Sequence, residues 1–315
     1  PTREGHGFVK GCSLLVLIPM IKKIAIVGAG GRMGSWFCRY LSVRKGIILT
    51  LYDIRPLSVK YPANTTIATD IVNCVDRADV VIACVPISKM PHIIQECGTK
   101  MKPGAILVEI SSIKNRSYKE LKRVPEHVKP LCIHPMFGPA ARRVDLMKII
   151  LIPVRNENYE HRITKDLFRG AIISVVPDAE THDRFMSIIL GLTYFTNLVF
   201  AAFVSKQDYE SLKEFAGTTF KIQSLLSTSI LQEESDLILA LLSQNPSVRK
   251  QVRKYLVEAK RLERLFSVHN ESKMKFELEK LKSLYQEREN MELSYSEMYR
   301  IISYLNTGSS LRKTF

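Results

Sequence analysis

Between residues 22 and about 177 the chain alternates short runs of β-branched and aliphatic residues with longer, polar stretches of helical character. The runs are Ile24–Val27, Ile47–Tyr52, Val80–Val85, Ile106–Ile110, Leu131–Ile133, Ile149–Val154 and Ile172–Val176. They are apolar at consecutive positions more than at alternate ones, as in strands covered on both faces, so they predict a mainly parallel sheet between layers of helix. After Pro177 the strand pattern stops. Asp178 is placed to cap a first helix, and Asn245-Pro246 supplies a later start, with Asn as cap and Pro at the first helical position. Val252, Tyr255, Leu256, Ala259, Leu262, Leu265 and Phe266 then recur at helical spacing, followed by Met274, Leu278, Leu281 and Tyr285. Such a stripe is either core or a dimer interface. The expected organisation is an extension over residues 1–19, an α/β domain over 20–177 and an all-α domain over 178–315.

Composition agrees with two globular domains. The chain has 315 residues, 46% hydrophobic and 24% charged, which excludes a collagenous or largely disordered protein. The apolar run Cys12–Met20 is about half of the ~20 residues that cross a bilayer, so no transmembrane helix and a soluble protein are expected. Lys10 ahead of that run imitates a signal peptide, but no small-residue cleavage site follows and a strand begins at once. Met20 is therefore taken as the native start. Six cysteines show no C-x-x-C pair and no metal-ligand rhythm, which fits reduced thiols in a cytoplasmic protein and no metal site. The formal charge of +15 is spread among carboxylates, as in Lys260-Arg261-Leu262-Glu263-Arg264. That is a solvated helix face more than a nucleic-acid patch, and the surplus charge suits attraction of small anions.

The first strand ends in Gly28-Ala29-Gly30-Gly31-Arg32-Met33-Gly34 and runs into a helical stretch, Ser35–Leu41. Glycines let the backbone turn and approach a pyrophosphate, and the helix N-terminus offers it N–H groups and a positive dipole. The fingerprint G-x-G-x-x-G fits imperfectly. Registered on Gly31 and Gly34 it meets Ala29 at its first site, and started at Gly28 it meets Met33 at its last. The context is stronger, because the next strand ends in Asp53, a carboxylate suited to both ribose hydroxyls. These features predict a Rossmann-type domain that prefers NAD, with Arg55 nearby leaving NADP as the alternative. Val85-Pro86 closes a further strand at the same expected sheet edge and joins the cofactor candidates. Beyond two more strands stand Ser112, in Ser111-Ser112-Ile113-Lys114-Asn115, and His134, in His134-Pro135-Met136-Phe137-Gly138-Pro139. An imidazole there suits proton abstraction from a substrate hydroxyl near neutral pH.

The glycine loop, the Ser112–Asn115 segment, the His134–Pro139 segment and the later Thr181-His182-Asp183-Arg184-Phe185-Met186 together resemble the prephenate dehydrogenase family, in order from about residue 22 into the helical tail. The resemblance implies a homodimer through the helical domain and NAD-dependent oxidative decarboxylation of prephenate to 4-hydroxyphenylpyruvate in tyrosine biosynthesis. His134 would accept the ring hydroxyl's proton and Ser112 would orient that hydroxyl. His182 matches a family histidine near the substrate, or is a helix-start residue paired with Asp183. Lys114 aids the anionic site or is structural. Where the family pattern has Arg, this chain has Lys221, which keeps the charge but loses the two-pronged grip on a carboxylate. Lys221 is thus a substrate ligand or a helix-surface lysine, and arogenate is the alternative substrate. Other classes remain: a 6-phosphogluconate-dehydrogenase-like enzyme acting on a hydroxy acid or imine, a cofactor-binding sensor, or a nucleic-acid binder.

Overall fold

The computed structural model describes residues 21–57, 61–267 and 270–311. The extension over 1–19, the proposed start at Met20 and the thiol of Cys12 lie outside them. The chain divides into two compact units. One comprises the chain up to Val85 with His92–Ile110 and Glu120–Val175; the other takes Pro86–Pro91, Ser111–Lys119 and the chain from Val176 on.

The first unit is built on an eight-stranded sheet of order β3-β2-β1-β4-β5-β6-β7-β8. Its strands are β1 Lys23–Val27, β2 Ile48–Tyr52, β3 Thr65–Ile67, β4 Val80–Ala83, β5 Ile106–Glu109, β6 Lys129–Pro135, β7 Lys148–Ile152 and β8 Ile172–Val175. All neighbours run parallel except β6 and β7. The sheet therefore forms from all seven anticipated runs. Every residue of β4 and β5 is buried, which is why these strands are apolar without alternation. The strand that periodicity missed, β3, is a three-residue edge piece with no buried side chain, so no burial shaped its composition.

Helices α1 Arg32–Ser42, α2 Ile71–Val75, α3 Met90–Lys100, α4 Asn115–Arg123 and α5 Glu157–Leu167 link the strands. Trp36, Phe37, Cys38 and Leu41 of α1 join Ile24, Ile26, Leu49, Leu51 and Phe168 in one hydrophobic core. The five described cysteines form no disulfide with one another, and all but the half-buried Cys84 are buried. Burial pushes the thiols of Cys38 and Cys74 up to about 12 and those of Cys84 and Cys97 up as well, so they stay neutral at physiological pH.

The second unit is helical: α6 Ala179–Met186, a π-helical turn Ser187–Leu192, α7 Thr193–Val204, α8 Tyr209–Glu214, α9 Thr218–Leu231, α10 Ser235–Ser243, α11 Pro246–Ser267, α12 Glu271–Gln286 and α13 Met291–Leu311. Asp178 caps α6 as expected, accepting the Thr181 N–H at 2.7 Å, and α11 starts at Pro246. The π turn carries Gly191 because a Cβ there would stand 2.4 Å from Val248 Cγ2 of α11. The stripe on α11 and α12 is largely exposed, with Leu265 buried and Val252, Leu262 and Met274 half-buried. Tyr255, Leu256, Phe266, Leu278, Leu281 and Tyr285 are exposed, and α12 buries no residue at all.

The continuous stretch Ala179–Val204 is long and apolar enough to cross a membrane by length and composition, with a mean hydropathy of 1.9 in its most apolar window. The stretch packs on α9 and α11. It also carries a buried Asn197, whose Oδ1 accepts Gln223 Nε2–H and the Ser227 hydroxyl, each at 2.9 Å. Those surroundings are those of a helix within a helical domain.

Candidate active site

In the first unit the glycine loop leaves β1 at the carboxyl edge of the sheet. The Gly28 and Ala29 N–H groups both bond the Tyr52 carbonyl, at 2.8 and 3.0 Å. Gly28 has φ +84°, and a Cβ on it would lie 2.3 Å from the Cys84 carbonyl oxygen. A Cβ on Gly34 would lie 2.0 Å from the Gly28 carbonyl oxygen. Gly31, extended at φ −71° and ψ 165°, is the N-cap of α1. The working spacing is thus Gly28-x-x-Gly31-x-x-Gly34, which resolves both misfits of the fingerprint: one residue is added between its first two glycines. Gly28 makes the turn, and Gly34 lets the helix press on the strand.

The first turn of α1 holds no acidic residue, and no side chain caps it, so among the described residues no acidic or capping group of α1 competes with a phosphate there. Arg32 opens this turn exposed, Met33 packs on the core, and Gly30 stands over Asp53. Asp53 follows β2 as expected. Its Oδ2 accepts the Gly30 N–H at 2.9 Å, and its Oδ1 accepts the Arg55 N–H at 3.0 Å. The Asp53 side chain is 5% exposed and that of Arg55 is 67% exposed. The loop, the uncapped helix start and the carboxylate fit a dinucleotide. Val85 reaches toward Gly28, its Cγ1 3.2 Å from a Cβ built there.

His134 occupies the penultimate position of β6, opposite Ile150 of β7, and is 4% exposed. Strands β1, β4, β5 and β6 are parallel, so His134 and the glycine loop share one sheet edge, three strand spacings apart, or about 14 Å. The residues after His134 are tied to α1. The Phe137 ring lies 5.0 Å from Trp36, and Trp36 Nε1–H donates to the Ala141 carbonyl at 2.7 Å. Beside His134, Cys132 Sγ lies 3.3 Å from Oε2 of a fully buried Glu109, a contact that no sequence spacing announces.

In the second unit Pro86 opens a turn whose carbonyl accepts Lys89 and Met90 N–H groups. Ser112 is half-buried, and its hydroxyl has no hydrogen-bond partner among the described residues. Lys114 and His182 are fully buried, and Asp183 is 5% exposed. Asp183 organises this group. Its Oδ1 accepts the Lys114 N–H at 2.9 Å and stands 2.8 Å from His182 Nδ1, while its Oδ2 accepts the Asn115 N–H at 2.9 Å. A carboxylate only accepts, so His182 Nδ1 carries the proton. The carboxylate also satisfies two N–H groups at the start of α4, a cap supplied from far along the chain. His182 and Lys114 show no accessible side-chain surface within this fold, and both keep further contacts inside the chain. Lys221 is exposed on the first turn of α9, with no side-chain partner among the described residues. Among the described residues no cluster of His, Cys, Asp and Glu could hold a metal ion.

A mainly parallel sheet with a glycine loop and a carboxylate just beyond its second strand, followed in the chain by a helical unit, is the architecture of a dinucleotide-binding protein. Residues 39–160 match the prephenate dehydrogenase nucleotide-binding domain and residues 178–282 the prephenate dehydrogenase dimerization domain, and the chain belongs to the prephenate/arogenate dehydrogenase family. A Methanocaldococcus jannaschii protein described as a probable arogenate/prephenate dehydrogenase is 28% identical over 237 residues, covering 72% of this chain and 53% of the relative. The T-protein of Enterobacter agglomerans is 23% identical over 261 residues, covering 80% and 65%. The chain thus spans about half to two thirds of the length of these relatives. Among solved structures, Aquifex aeolicus prephenate dehydrogenase with hydroxyphenyl propionate and NAD+ superposes with a TM-score of 0.69 at 18% identity, over 85% of this chain and 99% of that one. Synechocystis arogenate dehydrogenase gives 0.58 at 14% identity, over 92% and 99%. At such identities these two likenesses speak for the fold.

Proposed function

We propose that this protein oxidatively decarboxylates prephenate to 4-hydroxyphenylpyruvate with NAD, as a soluble cytoplasmic homodimer joined through its helical domain. The observation that carries the reading is His134 on β6, at the sheet edge where β1 delivers the glycine loop. The loop and the start of α1 bind the pyrophosphate, and Asp53 takes the ribose hydroxyls and disfavours a 2′-phosphate. Bound NAD supplies the hydride acceptor for the ring carbinol carbon. His134 receives the hydroxyl proton as that carbon is oxidised, Ser112 orients the hydroxyl, and departure of the ring carboxylate as carbon dioxide aromatises the product. Asp183 and His182 hold the Ser112–Asn115 segment in place. The exposed apolar side chains Val199, Phe203, Leu225 and Leu239 support association through the helical domain. Lys221 supports arogenate as a second reading, since an ammonium in place of a guanidinium alters recognition of the substrate's side chain.

The test is to mix purified protein with prephenate or arogenate and NAD or NADP, and to follow reduced nicotinamide. Turnover with prephenate and NAD is expected, with a loss of about 100-fold in His134→Ala. Near-normal rates in that variant would move the base elsewhere.

A further inference from the structure

A cavity of about 1110 Å³ in the first unit does not lie at the catalytic edge. Ile21 and Ile24, before and at the beginning of β1, help line it, whereas the cofactor loop leaves the end of that strand; roughly 13 Å of chain separates Ile24 from Gly28. Its wall is basic. Arg39, Arg44, Lys45, Arg142 and Arg169 face a single carboxylate, Asp166.

These cations are not spent on carboxylates. Arg44 is fixed by neutral groups: Nη1–H donates to the Asp166 carbonyl at 3.1 Å, Nη2–H to the Leu167 carbonyl at 2.6 Å and the Tyr40 hydroxyl at 2.5 Å, and its guanidinium lies 4.6 Å from the centre of the Tyr40 ring. Arg39 reaches only the Pro139 carbonyl, at 3.5 Å. Lys45, Arg142 and Arg169 are exposed and have no side-chain partner among the described residues. Several arginines elsewhere do pair with carboxylates, as with Arg123 and Glu120, Arg261 and Glu258, and, next along the chain, Arg143 and Asp145. Residues 1–20 carry Glu4 as their one carboxylate against Arg3 and Lys10, so they bring no compensating charge. Tyr40, stacked on Trp36 at 4.9 Å, adds an aromatic wall.

Two of the walls connect to functional segments. Helix α1 begins at the cofactor loop, and Arg142 lies in the loop that continues from His134–Pro139 and is latched to α1 by Trp36 and Ala141. An oxyanion bridging Arg39 or Arg44 to Arg142 would hold that loop against α1.

We propose that this cavity is an effector site for a small polyanion, a compact molecule carrying two or more phosphoryl or carboxylate groups, whose binding is felt at the His134 loop. Clustered guanidinium groups recognise such oxyanions in pairs, and the volume suits a metabolite-sized ligand. Binding stands independently of the proposed reaction; only its effect on turnover rests on that reading.

The test measures binding of inorganic pyrophosphate and of citrate by titration calorimetry, with saturating NAD to block the cofactor loop and chloride at matched ionic strength as control. Arg142→Ala/Arg169→Ala is the variant, chosen because both side chains are exposed and bond nothing, so its melting temperature without ligand should match the parent. Saturable binding at one site per chain is expected, weakened about tenfold or more in the variant while NAD affinity is unchanged. Stronger binding of pyrophosphate than of citrate identifies a phosphorylated effector, and the reverse a polycarboxylate. Equal binding by parent and variant, binding abolished by NAD, or an effect reproduced by chloride would overturn the site. If binding follows the arginines but the rate with prephenate stays constant, the effector role fails while the dehydrogenase reading stands.

Discussion

Asp183→Ala is the most informative single change in the helical unit. In the native protein this carboxylate, 5% exposed, takes the Lys114 and Asn115 N–H groups at 2.9 Å each and faces His182 Nδ1 at 2.8 Å. Removing it leaves two N–H groups at the start of α4 and a fully buried imidazole without their acceptor. One orphaned buried donor costs about 1–3 kcal/mol, and breaking a buried charged cluster about 3–5 kcal/mol, so the loss should be about 3–5 kcal/mol in total. Asp183→Asn is the control. Its one oxygen can still serve Lys114 and His182, but the amide NH2 then meets the Asn115 N–H donor to donor, for a cost of about 2 kcal/mol. Urea unfolding followed by far-ultraviolet circular dichroism gives both values. Loss of stability should come with impaired turnover, because Ser112 belongs to the segment that Asp183 anchors. An alanine variant within about 0.5 kcal/mol of the parent would refute the anchoring role.

Gly34→Ala should abolish NAD binding measured by fluorescence titration and lower the melting temperature, because its Cβ would meet the Gly28 carbonyl oxygen at 2.0 Å and the Ala29 Cα at 2.8 Å, both backbone atoms that cannot yield; normal NAD affinity would contradict the assignment of this glycine. Lys221→Ala should raise the Michaelis constant by about tenfold if the exposed ammonium meets a substrate carboxylate, and unchanged constants for prephenate and arogenate would remove it from the site. Stability should also fall in acid. Burial pushes the Asp79 carboxyl up, but the Lys102 ammonium at 2.5 Å and the Lys23 and Lys22 N–H groups outweigh it and hold the carboxyl below its ordinary value. A depressed carboxyl stabilises the fold above its unfolded value, about 3.9, and that contribution is lost as pH drops through the lower folded value; Asp79→Asn should therefore flatten the decline measured below about pH 4.

Much of the fold and part of the site were legible along the chain because both depend on local pattern. Burial on two faces makes the central strands apolar at every position, and a turn that bears φ +84° and close backbone contact needs glycine, so β1, β4, β5 and the loop Gly28–Gly34 announce themselves. Asp53 and His134 were placed by counting to the ends of strands. Folding alone decided what composition does not encode. It paired the exposed edge strand β3, ran β7 against β6, and chose among the glycine registers through contacts of Gly28 with Cys84 and of Gly34 with Gly28. It also brought Asp183 to the start of α4, and Arg39, Arg44, Arg142 and Arg169 around one cavity. Most of those partners lie tens to more than a hundred positions apart, and hydrogen bonding and charge act through space, so no periodicity in the sequence records them.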